Sequence, residues 1–291
     1  MSEFYIGNRL VGDGYPAFII AEIGNNHNGD FEMAKAMIDK AIECGADAVK
    51  FQIKNIEKCF AKELLDMPYD HQNSFGKTYR EHKEYLEFSH NEYKELKEYS
   101  HQKGVTFFAT PFDVDSFSFL KSIEVYVYKI ASFHVTESDL LKAVCTAKKP
   151  IIMSTGMSTL EEIDKACEIM KADKATYALL QCTSSYPTDD TDVHLSVIPE
   201  LKKRYQVVVG YSGHERGISI AASSVLLGSC IIEKHFTMDR TLKGPDHAAS
   251  LEPKGFKLMV ERVRLLEKAI GNPKKVVLDC ELKNRKKNRG Y

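Results

Sequence analysis

The run AEIGNNHNGDFEMAKAMIDKAIECGADAVKFQ, Ala21–Gln52, decides the fold class. It begins inside a short apolar run, Phe18–Ile23, that reads as a buried strand. A polar stretch follows and ends at Asp30, a residue type suited to an N-cap. Phe31–Cys44 then carries apolar residues at helical spacing, and Gly45 stands where such a helix should stop. Ala48–Ile53 is a second β-like run. Strand, helix and strand in about 35 residues make a βαβ unit. No G-x-G-x-x-G follows the first strand, which argues against a dinucleotide-binding open sheet.

The same unit recurs along the chain. Further β-like runs are Val105–Ala109, Tyr126–Ala131, Ile151–Ser154, Tyr177–Gln181, Gln206–Tyr211 and Cys230–His235. Amphipathic segments lie between them at Glu92–Lys103, Asp115–Lys121, Ser138–Ala147, Thr159–Lys171, Val193–Arg204 and Gly217–Leu227, and Pro253–Ile270 closes the series. Ser158 with Glu161 reads as a capping box, and Gly104 as a helix end. Eight strands, each followed by a helix, predict an α/β protein of the (β/α)8 TIM-barrel type, one domain over residues 1–271. A doubly wound open sheet is the alternative that alternation alone leaves open. Residues 54–89 form an insertion after strand two, long enough for a lid, a binding loop or helices of its own. Residues 272–291 are a basic tail that reads as a solvated linker stub, with nucleic-acid or acidic-partner binding as the alternative.

Composition narrows the function. The chain has 291 residues, 43% hydrophobic and 28% charged, with 40 basic and 41 acidic side chains for a net charge of −1. That excludes a disordered or fibrous protein and gives no reason to expect nucleic acid or an anionic membrane as partner. The start, MSEFYIGNRLVGDG, has neither a basic n-region nor an apolar h-region. The longest mostly apolar stretch, Ile218–Ile232, is shorter than the roughly 18 residues that a membrane helix needs. Seven cysteines without C-x-x-C spacing suit reduced thiols and a cytoplasmic location.

In such a barrel the catalytic side chains gather at the C-terminal strand ends. Polar residues do stand there: Glu22, Asn25 and His27 after strand one, Lys50 and Gln52 on strand two, and Thr110 after strand three. Strand four brings Lys129 and Ser132, strand five Ser154, and strand six Ser184. Ser212 and His214 close strand seven, and Glu233 and His235 close strand eight, with Asp246 in its loop. Period-two alternation puts Lys50 with Gln52, and Glu233 with His235, on one strand face. A single buried Lys or Glu is ordinarily a structural ion pair. Agreement at eight strand ends points instead to a binding pocket. Two lysines among hydroxyl donors predict a cationic pocket for a small anion bearing phosphate and carboxylate. Two imidazoles on adjacent strands suit a divalent transition metal, or one of them a general base. Cys182 is read as packing, with a nucleophilic thiol as the alternative.

The quoted run closely resembles the sialic acid (N-acetylneuraminate) synthase family. So do ATPFD (Ala109–Asp113), YKIAS (Tyr128–Ser132), MSTGM (Met153–Met157), QCTSSYP (Gln181–Pro187), GYSGHERG (Gly210–Gly217), EKHFTMDR (Glu233–Arg240) and GPDHAASLEP (Gly244–Pro253). The insertion resembles the animal-type branch, and ATPFD the bacterial one. The resemblance implies a TIM-barrel enzyme that condenses phosphoenolpyruvate with an open-chain N-acetylmannosamine-type aldose, with or without a 6-phosphate. The product is a nine-carbon 2-keto acid, and phosphate is released.

It further implies that Lys50, Thr110, Lys129, Ser132, Ser154, Ser184 and Ser212 hold phosphoenolpyruvate. His214 and His235 would hold Mn²⁺, with Mg²⁺ or Co²⁺ as substitutes. Glu22, Tyr186, Glu233 and Asp246 would serve the sugar, protons and water, and Asn25, His27 and Gln52 complete the substrate-binding set. Many bacterial members have Asp where Gly213 stands. The family continues into a C-terminal antifreeze-like domain that, in dimers, reaches the partner's active site; this chain's end resembles the start of that linker, and a homodimer is expected. The alternatives are a legionaminic- or pseudaminic-type synthase taking a diacetylated dideoxy hexose, a low-turnover phosphoenolpyruvate-binding barrel, and a basic-tail nucleic-acid adaptor.

Overall fold

The computed structural model describes residues 2–290. Ten strands among them are numbered in chain order: β1 (Glu3–Ile6), β2 (Arg9–Gly12), β3 (Phe18–Gly24), β4 (Ala48–Ile53), β5 (Thr106–Pro111), β6 (Tyr128–Ile130), β7 (Ile151–Ser154), β8 (Tyr177–Cys182), β9 (Val208–Gly213) and β10 (Ile231–His235). The last eight form one parallel sheet in the order β5-β4-β3-β10-β9-β8-β7-β6. Its two end strands, β5 and β6, pack against each other, so the sheet curls into the predicted barrel with helices between successive strands. Parallel strands buried on both faces read as nearly continuous apolar runs. β3 shows why, with every residue from Phe18 to Gly24 buried.

Most strand and helix limits fall within two residues of those read from the sequence. Asp30 caps its helix by accepting from Met33 N at 2.9 Å. The predicted Ser158–Glu161 box is displaced by one residue. Thr159 is the N-cap, accepting from Glu162 N at 3.3 Å while Glu162 accepts from Thr159 N at 2.7 Å. The Ser158 hydroxyl bonds Gly156 O instead. The seventh helix is short, Ser219–Ser223, and finishes as a 3₁₀ turn, Ser224–Leu227.

Sequence reading missed the hairpin β1–β2. Gly7–Asn8 between two four-residue runs was its signal, a two-residue turn with Gly7 at φ +60°. Phe4, Ile6 and Val11 from it join the main core. Asp13, just beyond β2, pairs with Lys202, and Ser2 Oγ bonds Gln206 O, so the hairpin sits at the end where the strands begin. That leaves the opposite end open as a mouth. The insertion has its own short helices, Ile56–Cys59, Lys62–Leu65 and Tyr79–Leu86. Within the basic tail, Asp279–Arg289 is helical and buries no residue. No helix is long and apolar enough to cross a membrane, and the seven cysteines are unpaired, among the described residues.

Replacing Thr159 by Ala should lower stability by about 1 kcal/mol, the usual loss for an N-cap hydroxyl. Ser158→Ala should change it by less than about 0.5 kcal/mol. Thermal denaturation of the two variants checks the displaced cap.

Candidate active site

The C-terminal strand ends enclose a cavity of about 260 Å³. Register decides which side chains enter it. β10 pairs with β3 so that Glu233 lies beside Ile20 and His235 beside Glu22, while β4 sets Lys50 next to Glu22. Inward alternation then delivers Glu22, Lys50, Glu233 and His235 to one buried chamber.

Four buried charges form its floor. Lys50 Nζ lies 2.7 Å from Glu22 Oε2 and 3.8 Å from Glu233 Oε2, and donates to Thr110 Oγ1 at 2.8 Å. Lys129 Nζ donates to Ser154 Oγ at 2.6 Å and to Ile130 O at 2.9 Å, and lies 3.9 Å from Glu233 Oε1. Ser212 Oγ donates to Glu233 Oε1 at 3.1 Å, and Gln52 Nε2 to Glu22 Oε1 at 3.0 Å. Two ammonium groups thus face two carboxylates. The pocket is charge-balanced rather than cationic, which corrects the sequence expectation.

Burial sets the protonation preferences, because it penalises whichever form carries charge. It raises the Glu22 pKa and lowers that of Lys129. Burial also works against the Glu233 carboxylate, but Lys129 and Lys50 outweigh it and hold Glu233 below the usual range. Lys50 bears the same burial penalty, yet Glu22 and Glu233 keep its pKa above normal.

His214 and His235 stand side by side with ring centroids 5.5 Å apart. His214 Nδ1 donates to Thr183 O at 2.8 Å, which fixes the tautomer and leaves Nε2 with a free lone pair. Burial, helped by His235, lowers the His214 pKa to about 3, so the ring is neutral. His235 Nδ1 is buried without a hydrogen-bond partner. Two imidazoles, the His214 ring neutral and the His235 ring with an orphaned nitrogen, fit a divalent metal. No group of three or more His, Cys, Asp or Glu gathers as a metal cage among the described residues, so water or substrate would complete the coordination. Burial raises the Cys182 pKa; its Sγ lies 3.9 Å from an Nδ1 whose proton goes to Thr183, which supports packing over nucleophilic attack.

Glu22, Lys50, Gln52, Thr110, Lys129, Ser132, Ser154, Ser184, Tyr186, Ser212, His214, Glu233 and His235 all line the cavity. Asn25, His27 and Asp246 do not. Asn25 supports Gln52 from behind, donating to its Oε1 at 3.2 Å. His27 is fully buried, stacked 4.0 Å from Phe88 of the insertion, with burial lowering its pKa to about 3. Its role is packing. Asp246 lies half-buried in the loop after β10, outside the chamber.

The sequence reading missed Phe112 and Phe133, which wall the cavity, and Gly156. A Cβ on Gly156 would overlap the Ser184 hydroxyl and lie 2.9 Å from Ser132 Oγ. Gly156 N donates to that same Ser132 oxygen at 3.0 Å. Only glycine lets these two hydroxyls converge, and its place in MSTGM just past a strand end was the available signal.

Fold and mouth together define an α/β-barrel enzyme whose chamber combines two lysines, hydroxyl donors, paired carboxylates and two imidazoles. The NeuB family model matches residues 37–275. N-acetylneuraminate-9-phosphate synthase of Homo sapiens is 42% identical over 275 residues, 94% of this chain and 77% of that protein. N,N'-diacetyllegionaminic acid synthase of Campylobacter jejuni is 38% identical over 91% of this chain and 81% of its own. The crystal structure of N-acetylneuraminic acid (sialic acid) synthetase from Leptospira borgpetersenii, in complex with citrate, superposes with a TM-score of 0.87 at 38% identity, covering 100% of this chain and 98% of that one. The chain belongs to the NeuB family.

Lys50→Met should destabilise the protein by about 3–5 kcal/mol, because it strands the Glu22 carboxylate in the barrel. Adding Glu22→Leu should restore much of that loss. Urea denaturation of the single and double variants checks it; equal stability of Lys50→Met and the wild type would contradict the ion-pair account.

Proposed function

We propose that the protein condenses phosphoenolpyruvate with the open-chain aldehyde of an N-acetylmannosamine-type sugar, forming a nine-carbon 2-keto acid and releasing phosphate. The observation that carries this reading is the single chamber holding Lys50, Lys129 and five serine and threonine hydroxyls beside two carboxylates and two imidazoles. Relatives named as sugar-acid synthases support it.

Phosphoenolpyruvate brings a carboxylate and a phosphate to lysines that already have carboxylate neighbours. Lys129 is the freer of the two, since its nearest carboxylate oxygen lies 3.9 Å away against 2.7 Å for Lys50. Ser132 and Ser184, gathered around Gly156, and Ser154, beside Lys129, offer further hydroxyls to the phosphate oxygens. A divalent ion held by His214 and His235, Mn²⁺ above all, would supply Lewis-acid polarisation of the aldehyde oxygen. Carbon C3 of phosphoenolpyruvate then attacks the aldehyde carbon, and positive charge develops at C2. Glu22 and Glu233 line the same chamber; they orient a water toward C2 and take up its proton, which passes to the oxygen left negative on the former aldehyde carbon. The resulting tetrahedral carbon expels phosphate.

The insertion forms one wall of the sugar's approach. Asn73 Oδ1 accepts from Gly244 N at 3.4 Å, and Lys243 Nζ lies 5.0 Å over the Phe75 ring, so the insertion docks on the loop after β10. Lys83 of the insertion faces the Tyr79 ring at 4.8 Å and has no ion pair among the described residues. It is available to a 6-phosphate on the acceptor, which favours a phosphorylated N-acetylhexosamine over a diacetylated dideoxy hexose.

Phosphate should appear only when phosphoenolpyruvate, aldose and Mn²⁺ are all present, with a keto acid of the summed carbon skeleton seen by mass spectrometry across an acceptor panel. No keto acid from any acceptor would sink the proposal. Lys129→Met should raise the phosphoenolpyruvate KM about tenfold or more, a charge-assisted bond being worth about 1.5–3 kcal/mol. Phe75→Ala should raise KM for sugar more than for phosphoenolpyruvate. Steady-state kinetics reads both variants; an unchanged sugar KM would remove the insertion from substrate binding.

A further inference from the structure

Behind the two imidazoles, on the outer face of the barrel, lies a second charged cluster that the proposed chemistry does not use. Lys234 sits between Glu233 and His235 in sequence but points the opposite way, because β10 alternates. It meets Glu215, the residue after His214. Lys234 Nζ donates to Glu215 O at 2.6 Å and lies 3.1 Å from Glu215 Oε1, and neither side chain has any exposed surface. Tyr211 OH donates to Glu215 Oε2 at 2.7 Å. One lysine therefore grips both the main chain and the carboxylate of the residue that follows His214. The same lysine is flanked on its own strand by His235. Thr188 N donates to His214 O at 3.1 Å and completes the hold.

Gly213 explains how the carboxylate gets there. In the β9–β10 register Gly213 lies directly beside Lys234. Its φ is outside the left-handed region, so any residue could adopt its backbone. Space is the obstacle: a Cβ there would overlap Glu215 Oε2 and lie 2.5 Å from the Tyr211 ring. The Glu215 carboxylate folds back over the glycine into the volume that a side chain at 213 would fill.

We propose that Glu215 is a positioning residue whose grip on Lys234 sets His214 against His235, and that positions 213 and 215 are two alternative seats for one carboxylate. The first half rests on the reading of the imidazole pair as a divalent-metal site. The second follows from the packing alone. A carboxylate on residue 213 is adjacent to Lys234 across the ladder, about 5 Å from strand to strand, and can take over the lysine once residue 215 is emptied. With Glu215 present, the same substitution both clashes and adds a second buried negative charge against one lysine.

The test is Mn²⁺ titration, by electron paramagnetic resonance, of the full chain and four variants. Glu215→Ala should weaken Mn²⁺ binding about tenfold to hundredfold, the range found when a ligand's supporting partner is lost. Gly213→Asp alone should also weaken it. Gly213→Asp with Glu215→Ala should bind Mn²⁺ within about threefold of the wild type. The substitution Gly213→Asp then harms one background and rescues the other, a coupling that two independent defects cannot produce. Lys234→Met with Glu215→Leu guards against a folding effect: replacing a buried pair by apolar residues keeps or raises thermal stability, yet Mn²⁺ affinity should still fall.

Equal harm from Gly213→Asp in both backgrounds, or wild-type affinity in the apolar variant, would overturn the proposal. If the wild type binds no Mn²⁺, the metal reading fails separately. The positioning claim is then read from the His214 Nδ1 proton by nuclear magnetic resonance. That proton should exchange slowly in the wild type and in the rescued variant and quickly in Glu215→Ala; equal exchange in all three would overturn it.

Discussion

The contact between Lys50 and Glu22 at the centre of the barrel is the constraint on which the rest depends. Two unit charges at 2.7 Å inside a protein attract strongly, but each has surrendered its water, and the exchange breaks even only with good geometry and further partners. Those partners are Thr110, Gln52 and Glu233. They come from three different strands, so strand register must be right for the charges to be satisfied at all. The buried chamber and the barrel's closure are therefore one requirement seen from two sides.

Balance among these charges has a chemical consequence. A purely cationic pocket would bind any anion and hold its counter-ions. Here Lys129 is shared between Glu233 at 3.9 Å and the neutral oxygens of Ser154 and Ile130, so an incoming anion competes with a distant carboxylate. In the proposed reaction, the carboxylates freed by that exchange are the groups that orient the water at C2. On this account the chamber's own ion pairs rehearse the contacts made during the reaction.

Much of this was readable in the amino-acid order, for a physical reason. Strand alternation is local, so Lys50 with Gln52 and Glu233 with His235 could be assigned to one face without knowing their neighbours. Most helix limits were legible to within a residue or two from caps and glycines; the helix read as Val193–Arg204 begins only at Val197, and the one read as Gly217–Leu227 ends early as a 3₁₀ turn. What escaped depended on three-dimensional proximity. His27 carries the same polar signature as Glu22 but turns into the layer under the insertion, where Phe88 stacks on it. The two carboxylates that neutralise the lysines could be named from the sequence, but their distances could not. The hairpin β1–β2 was short, and its pattern mixed exposed and buried residues; only its Gly7–Asn8 turn marked it. The value of Gly156 and Gly213 lies in what their missing side chains leave room for, which only the packed neighbours disclose.

The central claim is that this chamber delivers water to C2 of phosphoenolpyruvate, so that the carbon–oxygen bond to phosphate breaks. Turnover in ¹⁸O-labelled water, with both products read by mass spectrometry, tests it most directly. Label in the C2 oxygen of the keto acid and none in the released phosphate is the predicted result. Label in the phosphate would mean that water attacks phosphorus, and the assignment of Glu22 and Glu233 to the C2 water would be contradicted.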